Sequence, residues 1–142
     1  MTAFPGYKCF ATPAIKDKNE VTGGRAKGGL WISWPEELDT YVKRIKSSHW
    51  RVQSVMFDFE HSRICLINVY YPNDPKVVNE IDLNDDELNE VFRAIDKIRS
   101  SENFDELILA GDRNADFDRA NAFVNKVKEA FRQSRVVFRC QR

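Results

Sequence analysis

The run Ile64-Cys65-Leu66-Ile67-Asn68-Val69-Tyr70-Tyr71 sets the tightest constraint on the fold. Apolar side chains stand at both odd and even positions, so a strand built from them needs cover on both faces. Such a strand belongs in the middle of a sheet, and Pro72, which has no backbone N–H to donate, ends it. A second short run, Leu107-Ile108-Leu109-Ala110, reads as a buried strand beside the first; Gly111 then lets the backbone turn without steric cost. Two amphipathic segments, starting near Asp85 and near Ala120, are expected to cover these strands.

The first helical segment shows Leu88, Val91, Phe92, Ile95 and Ile98 on one stripe, with Asn84 as the expected cap and Glu87 three residues later, as in a capping box. The second carries Phe123, Val124, Val127, Ala130 and Phe131, and Val136-Val137-Phe138 hints at a further strand. Upstream, Tyr7 to Ile15 reads as a strand interrupted by Pro13, and Leu30 to Trp34 as one ended by Pro35. From Val52 to Phe59, Val55, Phe57 and Phe59 alternate with Met56, Asp58 and Glu60, the period-2 signature of a half-buried strand. His61-Ser62 is the expected hairpin turn, and Asn73-Asp74-Pro75 a turn after the central strand. Strands fill the first half and alternate with helices in the second. The expectation is an α/β or α+β fold, mixed sheets flanked by helices, in one domain over residues 1–142.

Charge and cysteine content narrow the function classes. Lys plus Arg and Asp plus Glu both number 22, so no net positive field announces nucleic acid as a partner. Cys9, Cys65 and Cys140 are odd in number, far apart and form no C-x-x-C pair, which fits a reducing compartment, nuclear or cytoplasmic. The apolar runs are far shorter than the roughly 20 residues that span a bilayer, and no signal-type segment follows Met1, so an intracellular protein with no membrane partner is expected.

The chemistry-bearing residues gather where the apolar runs end. Asp112 and Asn114 lie just past the Leu107–Ala110 strand, at the carboxyl end where α/β sheets present groups to ligands. The first can accept a proton or face a metal; the second can donate to a phosphate oxygen. Gly-Asp-x-Asn can equally be an Asx-turn leading into a helix. Ahead of the Leu30 strand, Gly23-Gly24-Arg25-Ala26-Lys27-Gly28-Gly29 is a basic loop whose Arg25 and Lys27 could approach a phosphodiester, though it matches neither a P-loop nor a dinucleotide fingerprint. His49 and His61 sit beside turns and read as surface residues.

In order along the chain, Gly28-Gly29-Leu30-Trp31-Ile32, Asn68-Val69-Tyr70-Tyr71-Pro72 and Gly111-Asp112-Arg113-Asn114 resemble the endonuclease/exonuclease/phosphatase superfamily, most closely the apurinic-type endonuclease domains of LINE-type (non-LTR) retrotransposons. The resemblance spans roughly Gly24 to Phe131. It implies a four-layer α/β sandwich, here partial, and hydrolysis of phosphodiesters in DNA. Tyr70 would touch the scissile phosphate, Asp112 would orient or deprotonate the attacking water, and Asn114 would hold that water or steady the transition state. Arg25, Lys27, Asn68 and Asn73 would bind substrate. A divalent cation, Mg2+ or Mn2+, would neutralise developing charge, with Asp112 as its one evident ligand.

The departures from the pattern are equally specific. The family's Asn and metal-binding Glu strand ends have no convincing counterpart before Gly23. Its S-x-I-D and S-D-H segments find no match after Asn114, and Arg113 replaces an apolar residue. The sequence therefore reads as a domain truncated at both ends, with little or no activity expected of it, because catalytic groups act as a unit. Two other readings stand beside it: a non-catalytic remnant that binds partners or self-associates through exposed sheet edges, and a phosphatase or lipid phosphodiesterase on the same fold.

Overall fold

The computed structural model describes residues 4–15, 28–72, 81–112 and 122–132. In chain order these form β1 (Tyr7–Thr12), β2 (Leu30–Pro35), a 3-10 turn (Glu36–Tyr41), β3 (Val42–Ile45), β4 (Val52–Phe59), β5 (Ser62–Tyr70), α1 (Ile81–Ser101), β6 (Glu106–Asp112) and α2 (Ala122–Arg132). The fold is mixed α/β and sheet-dominant: β1 and β2 form an antiparallel pair, and β3-β4-β5-β6 a four-stranded sheet.

The two apolar runs are neighbours, as their composition requires. β5 and β6 pair in parallel, Ile67 against Leu109 and Tyr70 against Asp112, with α1 as the crossover that parallel strands need. Ile67 is wholly buried and Leu109 nearly so. The start of β6 is held by Asp105, whose N–H donates to the Arg63 carbonyl at 2.8 Å while its carboxylate accepts from the Arg63 N–H at 2.7 Å.

Cover comes from a different source on each face. Cys65, Ile67, Val69, Leu107 and Leu109 pack under Leu88, Val91, Ile95 and Ile98 of α1 and Val124 and Val127 of α2. Both helices therefore lie on one face, where the sequence led us to expect helices as the cover for the whole run. The opposite face is closed by the β1–β2 pair: Ile32 and Trp34 pack with Val55, and Phe10, Leu38, Phe57 and Leu66 close around them. A two-stranded sheet supplies a flat apolar face as well as a helix does, and hydropathy alone does not say which will come.

Several boundaries shift from expectation. α1 begins at Ile81, so Asn84 lies inside the helix and is not its cap. The hairpin loop is Glu60-His61, since Phe59 pairs with Ser62. β4 is buried on both faces from Val52 to Met56, not half-buried, because the hairpin sheet lies over Gln53 and Val55 while the helix layer lies over Val52 and Met56. The 3-10 turn and β3 carried no apolar period, and no sequence signal marked them. The expected strand at Val136–Phe138 and the turn at Asn73–Pro75 lie outside the described residues.

Candidate functional site

Strand register sorts the face beneath the hairpin into rows. Val55, Leu66 and Ile108 stand side by side across β4, β5 and β6; one step toward the carboxyl end of β5 come Gln53, Asn68 and Ala110; the next step brings Tyr70 beside Asp112. Side chains of laterally paired residues share a face, and alternation sends Val69 and Tyr71 to the helix side. The face thus runs from apolar to polar toward the carboxyl ends of the two parallel strands. Tyr70 and Asp112 close it, Tyr70 half-buried and Asp112 exposed.

Backbone contacts fix that corner. The Tyr71 N–H donates to the Asp112 carbonyl at 3.0 Å, extending the pairing past the strand ends. Gly111 makes the approach feasible: its φ is 129°, and a Cβ there would lie 1.9 Å from the Val69 carbonyl oxygen. The glycine that opens the polar segment is therefore demanded by β5–β6 packing.

Tyr70 is also held from the side by Arg51. The Tyr70 N–H donates to the Arg51 carbonyl at 2.9 Å, and Arg51 Nη1 donates back to the Tyr70 carbonyl at 3.4 Å. The guanidinium lies over the Tyr70 ring, 4.9 Å from its centroid, and over the Trp50 ring at 4.2 Å. Its Nε donates to Glu87 Oε1 of α1 at 2.7 Å. Trp50 in turn packs on Gly28, where a Cβ would stand 2.3 Å from the indole Cζ3. A continuous line of contacts therefore runs from the end of the glycine loop through Trp50 and Arg51 to Tyr70 and its lateral neighbour Asp112.

The remaining predicted site residues divide. Asn68 is described: its Nδ2 donates to the Trp31 carbonyl at 3.1 Å, joining the sheet to β2. Arg25, Lys27, Asn73 and Asn114 lie outside the described residues. Asp112 offers one carboxylate at a strand end, which suits a cation such as Mg2+ that keeps most of its waters and shares a substrate phosphate. Among the described residues no group of three His, Cys, Asp or Glu side chains converges. Among the described residues no helix is long and apolar enough to cross a membrane.

His49 departs from its expected surface position. Its side chain is 11% exposed, with Nε2 lying 3.5 Å from Glu90, whereas that of His61 is 88% exposed. His49 Nδ1 accepts the Arg51 N–H at 3.2 Å, which requires that nitrogen to be unprotonated. Burial holds its pKa below the ordinary 6.5, against the pull of Glu90 and Glu87 and with a further push from Arg51. The folded state thus binds fewer protons here than the unfolded one. Stability that is present above the unfolded value of 6.5 is lost as pH falls from there through the folded value. Urea midpoints measured from neutral pH downward should decline over that window, and His49→Asn, which keeps an acceptor but cannot titrate, should flatten the decline. An unchanged pH profile in the variant would remove His49 from this role.

Arg51 and Trp50 were not marked by any motif, and Glu87 was marked only as the capping-box partner expected for Asn84. The available signal was local: a Trp-Arg pair directly before an apolar strand, with a carboxylate in the second turn of a helix that must cross that sheet. No family model, curated protein or solved structure matches the chain.

Proposed function

We propose that the chain is part of a metal-dependent phosphodiesterase acting on nucleic acid, an endonuclease-like domain of the endonuclease/exonuclease/phosphatase type, with low turnover in this form. The observation that carries the reading is the lateral pairing of Tyr70 with Asp112 at the carboxyl ends of adjacent parallel strands. A phenol and a carboxylate on one face can serve one phosphate. The hydroxyl donates to a non-bridging oxygen, and the carboxylate orients or deprotonates water for in-line attack. Asp112 would hold the cation, which supplies Lewis-acid stabilisation of the phosphate when bound. Arg51 does not reach for substrate in this scheme; it fixes the Tyr70 ring.

Activity on supercoiled plasmid with Mg2+ or Mn2+ should be slow, because the one carboxylate that the described residues bring to the corner is a sparse ligand set and the balanced charge does not concentrate DNA. The residual nicking should fall at least roughly tenfold in Asp112→Ala and stop with chelator. Because the rate is low, a second readout is needed: Mn2+ should broaden the NMR signals of Gly111, Asp112 and Tyr70 in the parent and leave them sharp in Asp112→Ala. Broadening elsewhere with these residues untouched would overturn the assignment.

A further inference from the structure

The turn between β3 and β4 is held by hydrogen bonds of two kinds. Ser47 Oγ donates to the His49 carbonyl at 3.0 Å and accepts the His49 N–H at 3.1 Å, and the Val52 N–H donates to the same carbonyl at 3.1 Å. These bonds are indifferent to pH. The Arg51 N–H is held instead by a ring nitrogen, His49 Nδ1 at 3.2 Å, which accepts only while it carries no proton. A titrating atom therefore decides whether the Arg51 backbone is tied to the turn.

Arg51 carries that tie to the strand-end corner. Its carbonyl accepts the Tyr70 N–H at 2.9 Å, and its guanidinium lies over the Tyr70 ring. Trp50 belongs to the same stack, with the guanidinium over its indole and the His49 ring beside it, centroids 5.9 Å apart and planes within 22°.

Charged groups face His49 from each element packed around it. Glu90 and Glu87 of α1 attract an imidazolium, and Nε2 already lies 3.5 Å from Glu90. Arg51 repels one, and its own Nε engages Glu87 at 2.7 Å. Lys46, next after β3, lines a cavity of about 290 Å³ together with His49 and Trp50. A proton on Nδ1 acts in two ways. It puts an N–H where the Arg51 N–H points, and it adds a cation that the two glutamates draw towards α1, away from Arg51. The cavity gives the ring and the indole room to part. Burial outweighs the glutamates and holds the pKa below 6.5, so the neutral ring prevails at neutral pH and the charged one forms as pH falls below that value.

We propose that His49 is a proton-operated latch on the strand-end corner: a bare Nδ1 ties down Arg51 and with it the Tyr70 ring, and a proton there releases the Trp50–Arg51 pair, so that Tyr70 loses its fixed place beside Asp112. As regulation of the candidate site the inference rests on the phosphodiesterase reading above, but the latch itself is read without turnover.

NMR spectra taken from neutral pH down to the lowest pH at which the chain stays folded test it. The His49 ring, the Trp50 indole and the Tyr70 ring should shift in one step with a common midpoint below 6.5, while the buried Val127 methyls of α2 stay in place. His49→Asn, whose Oδ1 accepts the Arg51 N–H at every pH, should abolish the Trp50 and Tyr70 steps; it keeps Glu87, Glu90 and Asp112, so a step that they cause would survive. Glu90→Gln, a change at an exposed position that leaves the imidazole present, should move the His49 and Tyr70 midpoints to lower pH by the same amount. Tyr70 signals that stay still while His49 titrates, that titrate alike in His49→Asn or that keep their midpoint in Glu90→Gln would overturn the proposal. So would a His49 ring that never titrates in folded protein, or a step shared by Val127, which would be unfolding of the whole. Absence of nicking would strike the phosphodiesterase reading and leave the latch standing, whereas a Tyr70 ring indifferent to pH would do the reverse.

Discussion

Gly111→Ala is expected to destabilise the fold by about 3 kcal/mol or more, read as a large drop in the urea midpoint. The added Cβ would lie 1.9 Å from the Val69 carbonyl oxygen, 2.7 Å from its nitrogen and 2.8 Å from its carbonyl carbon. All three atoms are backbone of the central strand, so no rotamer change relieves the clash, and β6 must move away from β5. The backbone φ of 129° adds strain for any residue with a side chain. Gly28→Ala should cost less: its Cβ meets the Trp50 ring at 2.3 Å, and a side chain can swing where a strand cannot. Gly29→Ala, whose nearest contact is 3.6 Å, carries chiefly the φ penalty. An alanine at Gly111 that left the midpoint unchanged would show that β5 and β6 do not approach as described. The same substitution would part Asp112 from Tyr70, so nicking should fall with stability.

The order of these effects shows what the sequence could disclose. Gly111 was expected to turn the backbone, whereas it lies within β6 beside Val69; the apolar runs at 64–71 and 107–110, which both precede it, were legible as adjacent buried strands. That the glycine is required by contact with Val69 was not, because the contact joins residues far apart in the chain. Val124 and Val127 could be assigned to a buried helix face from their spacing. Which face of the sheet that helix would cover could not, since Leu66 and Ile67 are both apolar and each was satisfied by a different layer. At the candidate site, the lateral pairing of Tyr70 with Asp112 was approachable from sequence because both stand near the ends of apolar runs. Arg51 had no period or motif to mark it: its role comes from two rings and a carboxylate that only the fold assembles.

Arg51→Ala is the second substitution from which a large effect is expected, about 3 kcal/mol. The side chain is 9% exposed, and its Nε lies 2.7 Å from Glu87 Oε1. Removal forfeits that charge-assisted bond and the stacking on Trp50 and Tyr70, and leaves a void between the two rings. Glu87→Ala should cost less, about 1–2 kcal/mol, because Glu87 is 31% exposed and the guanidinium keeps its rings and the Tyr70 carbonyl. If Glu87 acts through Arg51, the double variant should be little worse than Arg51→Ala alone, a coupling of about 1 kcal/mol or more. That coupling should persist in high salt, since ions screen a pair sheltered in this way far less than an exposed one. Additive single effects would mean that Arg51 holds the corner by packing alone. The Tyr70 ring signals in the NMR spectrum would then shift in Arg51→Ala but stay at their parent positions in Glu87→Ala, whereas an ionic tether that aims the guanidinium moves them in both.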